Sequence, residues 1–204
     1  MKVAIIDYGM GNLRSVLKAV ERTGGIPLIT RNQLEIEESD KIILPGVGHF
    51  RKGMENLKEL GLIEILKNEV MVNKKAIMGI CLGMQLMMEH SEEGDVEGLS
   101  WFKGDVIRFN VSDKYKYKVP HMGWNTLNYK KKVVETNLNN EYYFVHSYHV
   151  IADNEIDILT TTVYDYEFVS SIEKDNIIGY QFHPEKSHLP GLQLISNFIN
   201  SVNV

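Results

Sequence analysis

The chain is poor in cysteine, poor in proline and without long apolar runs, and each shortage closes off a class of protein. A single cysteine, Cys81, rules out an internal disulfide and any multi-cysteine metal site. Its thiol is then either an inert packing group or a reactive one. No segment approaches the ~18 consecutive apolar residues of a spanning helix. At the start of the chain, Asp7 interrupts the apolar stretch Val3 to Ile6 before it forms a signal-peptide core. The expectation by elimination is a soluble, cytoplasmic protein with no membrane partner. Basic residues are also in deficit, 22 against 27 acidic, for a formal charge of -5. That balance argues against nucleic acid as the main partner. There is no internal repeat, low-complexity tract or Pro/Gly/Ser linker, so 204 residues are expected to form one domain, 1–204.

What is present falls into two textures. The first alternates strand and helix: Val3 to Ile6, a helix with Leu13, Val16, Leu17 and Val20 on one face, Pro27 to Thr30, Lys41 to Leu44, a helix carrying Met54, Leu57 and Leu60, then Ala76 to Ile80 running into a helix over Met84 to Glu89. This rhythm implies a mostly parallel sheet with helices on both faces. After about residue 95 the runs become short, β-branched and aromatic: Asp105 to Phe109, Glu141 to Val150, Ile156 to Val163, Phe168 to Ile172 and Ile177 to Phe182. The second half reads as antiparallel strands sharing the same sheet, with a closing helix bearing Leu192, Ile195 and Ile199. The fold class is α/β, three-layered, with an added strand-rich part.

The strongest local signal is Gly79-Ile80-Cys81-Leu82-Gly83, between a strand and a helix. That layout is a nucleophile elbow with cysteine in place of serine. Glycines two residues to either side let strand and helix pack closely around a strained turn. The amide N–H of Leu82 is then aimed at a developing oxyanion. A thiolate attacking an amide also needs a proton carrier and a group to orient it. His183-Pro184-Glu185, read as extended, puts both side chains on one face. Taken alone, the same tripeptide is more often a plain turn at a strand end with a surface carboxylate. His146 and His149 form an isolated H-x-x-H pair, and no second histidine stands at a zinc spacing from His183, so no metal is assigned. The glycine-rich loop Pro45 to Gly48 lacks a phosphate-loop Lys, and Arg14 replaces the third glycine of a dinucleotide fingerprint. No cofactor is expected. Lys114 to Lys118 and Lys130 to Lys132 read as solvated hairpin ends.

Taken together, IIDYGMGNLRSV (5–16), LPGVGHF (44–50), GICLGMQL (79–86), SEEG (91–94), VPHMGWN (119–125), FVHSYH (144–149) and QFHPEKS (181–187) resemble the class I, triad-type glutamine amidotransferases. Within them they are similar to the glutaminase subunits of imidazole glycerol phosphate synthase, across nearly the whole chain. The resemblance implies a glutaminase in which Cys81 forms a γ-glutamyl thioester, His183 moves the proton and Glu185 orients it. It also implies an oxyanion hole from the N–H groups of Leu82 and of the loop around Val47, which in that family rearranges before it donates. Gly46, Gly48, Gln85, Glu93, His146, Ser147 and Tyr148 match its L-glutamine pocket, with Glu93 facing the α-ammonium. Asn12, Trp124, Tyr143 and Lys186 match the face toward a (β/α)₈-barrel cyclase, which takes the ammonia within a heterodimer of histidine biosynthesis. Ala76 and Ser100 depart from common residues of the family without touching this chemistry. A related branch supplies ammonia for surface-sugar biosynthesis, and Ser187-His188 is similar to it. A stand-alone cysteine hydrolase, and a partner-binding domain with a structural Cys81, are the other readings that the residues permit.

Overall fold

The computed structural model describes residues 1–131 and 140–201. Lys132 of the second basic stretch lies outside the described residues. In chain order the first half contains β1 (Lys2–Ile6), α1 (Leu13–Arg22), β2 (Ile26–Thr30), α2 (Gln33–Glu37), β3 (Lys41–Gly46), α3 (Phe50–Glu59), α4 (Leu62–Lys67), β4 (Ala76–Cys81) and α5 (Leu82–Gln85). The second half contains β5 (His90–Ser91), β6 (Val96–Glu97), β7 (Gly104–Arg108), β8 (His121–Thr126), β9 (Asn128–Tyr129), β10 (Glu141–His146), β11 (Tyr148–Ala152), β12 (Ile158–Tyr164), β13 (Tyr166–Lys174), β14 (Ile177–Tyr180) and α6 (His188–Asn200).

One sheet runs through both textures in the order β2-β1-β3-β4-β14-β13-β11-β7-β5-β6. The strands from β2 to β14 are parallel, and the direction reverses where β14 meets β13. Both faces of the parallel part are apolar, as burial under two helix layers requires. Val3, Ile5, Ile43 and Met78 pack with Val16 and Val20 of α1 and Ile195 and Ile199 of α6. Ala4, Ile6, Ile42 and Leu44, alternating with them, pack with Phe50, Leu57, Leu62 and Leu66 of α3 and α4. Asn12 starts α1 as its N-cap, accepting from the Ser15 N–H at 3.4 Å.

Several elements differ from the sequence reading. The run Glu141 to Val150 is two strands in two sheets: β10 pairs only with β8, and β11 joins the main sheet. The break falls at Ser147, whose carbonyl accepts from the Phe109 N–H at 3.0 Å. The helix expected over Met84 to Glu89 stops at Gln85, because the following backbone folds into tight turns and the Glu89 N–H donates to Gly104 O at 3.2 Å. Leu60, expected on a buried helix face, is 37% exposed, since α3 ends one residue earlier. The strand His121–Thr126, which carries Trp124, was not among the expected runs.

Candidate active site

The loops leaving the carboxyl ends of β3, β4 and β14 converge, which is where open α/β sheets bind ligands. Gly46 at the end of β3 stands beside Cys81 at the end of β4. Cys81 has φ 53° and ψ −109°, a conformation that side-chain-bearing residues rarely hold. The flanking glycines permit it. A Cβ on Gly79 would lie 2.8 Å from the Met84 nitrogen, and one on Gly83 only 1.8 Å from the Leu44 oxygen. The turn therefore holds the sulfur at a pocket wall and leaves the Leu82 N–H, at the first position of α5, without an intrahelical partner.

His183 follows β14 by three residues and is 1% exposed. Its Nδ1–H donates to Glu185 Oε1 at 2.8 Å, both side chains being 2% exposed. The two meet through a 3₁₀ turn over Pro184–Lys186, not through the extended backbone expected from the sequence, because Pro184 starts the turn and the Lys186 N–H closes on His183 O at 3.0 Å. His183 Nε2 has no hydrogen-bond partner among the described residues. Burial lowers the imidazole pKa, but the charges of Cys81 and Glu185 outweigh it and leave the group raised from 6.5 to about 10. The raised pKa favours the protonated ring, whose Nε2–H is the proton available for transfer.

A cavity of about 300 Å³ opens over the sulfur, the size of a small-molecule site. It is lined by Val47, Gly48, Leu82, Gln85, Glu93, His146, Ser147 and Tyr148 together with Cys81. Of the expected pocket residues only Gly46 stands behind the wall, its Cα against the buried Tyr8 hydroxyl, where any side chain would collide. Pro120 and Val145 complete the lining and were not anticipated. Glu93 reaches back to accept from the Phe50 N–H at 2.7 Å. Val47, in the loop expected to supply an oxyanion N–H, is 39% exposed.

The nitrogens of the H-x-x-H pair are taken up in hydrogen bonds. His146 Nδ1–H donates to Tyr148 O at 2.8 Å and its Nε2 lies 3.1 Å from His121 Nδ1. His149 bonds Val150 O at 3.2 Å and the Tyr166 hydroxyl at 3.0 Å. Burial lowers the pKa of all three, that of His121 to about 4, which keeps them neutral. Among the described residues no group of three or more His, Cys, Asp or Glu is arranged to hold a metal ion.

Beside the loop carrying His183, Tyr143 pairs with Trp124 across β10 and β8. The Trp124 ring meets Tyr143 edge-on at 5.9 Å and stacks on His188 at 4.9 Å, while Lys186 Nζ sits 5.7 Å above the Tyr143 ring. Three of the four expected partner-face residues thus form one cluster, with His188 added; Asn12 is exposed at the start of α1. The basic stretch at Lys114 is solvated, with Tyr115 93% exposed, and Lys130 and Lys131 pair with Glu167 and Glu173.

A family model described as glutamine amidotransferase class-I matches residues 4–202. The chain belongs to that family. It is 48% identical over 200 residues to imidazole glycerol phosphate synthase subunit HisH 2 of Methanococcus maripaludis, with 97% of this chain and 98% of that one covered. It is 48% identical over 201 residues to subunit HisH 1 of Campylobacter jejuni, covering 97% and 98%. Against subunit HisH of Aquifex aeolicus it is 45% identical over 203 residues, covering 97% and 96%. These names do not favour the surface-sugar branch. Among solved structures, one described as a glutamine amidotransferase superimposes with a TM-score of 0.73 at 17% identity over 96% of both chains. PurLQS from Thermotoga maritima gives 0.71 at 17%, over 98% of this chain and 97% of that one. At such identities the likeness speaks for the amidotransferase fold alone. Among the described residues no helix is long and apolar enough to cross a membrane.

Proposed function

We propose that this class-I amidotransferase is the glutaminase subunit of an imidazole glycerol phosphate synthase, hydrolysing L-glutamine to L-glutamate and ammonia for histidine biosynthesis. One glutamine amidotransferase domain over 1–204 carries it. The observation that carries the reading is the pairing of Cys81, in its strained turn at the cavity wall, with His183, which Glu185 orients and whose pKa Cys81 raises.

In this reading Cys81 Sγ attacks the carboxamide carbon of glutamine. The carbonyl oxygen becomes an oxyanion, met by the Leu82 N–H and by an N–H of the Val47 loop. The His183 imidazolium gives its Nε2 proton to the leaving nitrogen, so that ammonia departs and a γ-glutamyl thioester remains. Water then attacks the thioester, His183 takes its proton, and glutamate leaves as the sulfur is regenerated. Glu185 holds the imidazole ring throughout. Glu93 and Gln85 are placed for the α-ammonium. Both hydrogens of Gln85 Nε2 are spent on Tyr148 O at 2.9 Å and Gln181 Oε1 at 3.0 Å, which leaves its oxygen for the substrate. The Trp124, Tyr143, Lys186 cluster, with Asn12, forms the face toward a (β/α)₈-barrel cyclase in a heterodimer, and ammonia passes to that partner.

The test is to assay the chain mixed with the cyclase, feeding either glutamine or an ammonium salt. Cys81→Ala is expected to abolish the glutamine-driven reaction and leave the ammonium-driven one at the wild-type rate. Glutamine-driven turnover that survives the substitution contradicts the reading.

A further inference from the structure

Gln181 is fully buried, two residues before His183. Its Nε2 lies 3.7 Å from Cys81 Sγ and its Oε1 3.0 Å from Gln85 Nε2. The direction of these bonds follows from one fixed point. The carbonyl of Tyr148 only accepts, so the Gln85 group that meets it at 2.9 Å must be its NH₂. The second hydrogen of that NH₂ faces Gln181, which must then turn its oxygen toward Gln85 and its own NH₂ toward the sulfur. Flipping either amide sets donor against donor or acceptor against acceptor, at a Gln181 side chain that is fully buried. The fixed point is held from its other side by the His146 Nδ1–H, at 2.8 Å from the same Tyr148 oxygen. His146 is oriented in turn by His121, whose Nε2 lies 3.4 Å from Asn125 Nδ2, beside Trp124 on β8. Tyr148 O thus accepts from two sides: from the outer hairpin through His121 and His146, and from Gln85, whose second N–H leads through Gln181 to the nucleophile.

We propose that Gln181 is a positioning residue for the nucleophile, holding Cys81 Sγ in its line of attack with an N–H whose direction is imposed through Gln85. The inference rests on the glutaminase reading. An N–H aimed at sulfur favours the charged nucleophile and opposes the alternative in which the S–H turns to the Val145 carbonyl, 3.9 Å away. Gln181 does not line the cavity, so its effect belongs to the chemical step and not to glutamine binding.

Two isosteric variants separate this from a packing role. Gln181→Met removes the N–H and keeps the volume. Gln181→Glu keeps the oxygen toward Gln85 and sets a second oxygen against the sulfur. Glutamate release at saturating and limiting glutamine, the rate of Cys81 alkylation by iodoacetamide, and the melting temperature are measured on the complete chain. The expected result is a fall of about tenfold or more in kcat for Gln181→Met, the scale of one hydrogen bond to a charged group. KM should stay within about twofold and alkylation should slow in parallel, with a larger loss for Gln181→Glu. Wild-type kcat and alkylation rates in Gln181→Met, a change confined to KM, or failure of both variants to fold would each overturn the inference. Absence of glutamate release from the wild-type chain instead sinks the glutaminase reading, a separate outcome.

Discussion

The backbone N–H of His183 donates to the carbonyl of Tyr143 at 2.9 Å. The loop carrying His183 is therefore pinned to β10, the strand whose Tyr143 ring belongs to the Trp124 and Lys186 cluster. Ser187 closes the same joint, its hydroxyl accepting from the Tyr143 N–H at 3.0 Å and donating to His183 O at 2.6 Å. Ser187→Ala leaves a buried N–H and a buried carbonyl without that partner, for an expected cost of about 1–3 kcal/mol in urea unfolding. Because the joint sets the imidazole's place, kcat for glutamine should fall more than KM rises. Unchanged stability and unchanged kcat would show that the joint holds nothing.

The elevated pKa of His183 has an identifiable source. After the opposing effect of burial, Cys81 contributes most, ahead of Glu185. In Cys81→Ser the neutral hydroxyl removes that contribution, and the His183 pKa should drop well below the wild-type value of about 10. Imidazole nitrogen NMR shifts followed over pH report this directly. The linkage sign follows: a pKa raised in the folded state stabilises the fold fully below about pH 6.5 and ceases to as pH rises through about 10. The variant should lose part of that high-pH dependence. An unshifted His183 titration in Cys81→Ser contradicts the pairing.

The buried histidines act in the opposite direction. His121 is lowered by burial from 6.5 to about 4, so the unfolded chain binds more protons between these values. Its contribution is present above about pH 6.5 and is lost as pH falls through about 4. Urea midpoints should therefore decline over that window, and His121→Phe, which cannot titrate, should show a shallower decline. Phenylalanine suits the place sterically, since His121 stacks on Tyr164 at 4.1 Å and on Phe144 at 4.9 Å. Equal slopes in the two proteins would remove His121 as the cause.

Trp124 is 46% exposed although its ring is stacked on His188 and braced by Tyr143. A large aromatic held rigid at the surface is the kind of residue on which interfaces concentrate their energy. Trp124→Ala is expected to weaken binding of the cyclase by about tenfold or more in a calorimetric titration. Cys81 alkylation in the free subunit should stay within about twofold, as Trp124 does not line the cavity. Undiminished affinity would place the partner elsewhere.

How much of this was legible in the sequence depends on distance along the chain. The Cys81 turn is local, and its glycine spacing states the geometry it adopts; His183 and Glu185 are also neighbours in sequence, but Pro184 starts a 3₁₀ turn where an extended link was expected. The first four parallel strands were likewise visible, since each is an apolar run bounded by turn residues. Less visible was β8, where the alternation is inverted: Met122 and Trp124 are exposed, and His121, Gly123 and Asn125 are the more buried residues. The uninterrupted run from Glu141 concealed the change of sheets at Ser147, which is imposed by pairing partners on either side. Gln181 lies 100 residues from Cys81 and 96 from Gln85, so nothing in its own neighbourhood announces its role. Of the pocket residues that the family likeness implies, all but Gly46 line the cavity beside Cys81, and the space a side chain at Gly46 would need is filled by Tyr8.

The central claim is that Cys81 carries the glutamyl group. It is tested most directly by quenching the enzyme in acid during turnover of glutamine and mapping adducts by peptide mass spectrometry. The expected result is a glutamyl residue on the peptide containing Cys81, absent from Cys81→Ala and absent when glutamate replaces glutamine. Steady glutamate release from Cys81→Ala, or an adduct on any other side chain, would contradict the account.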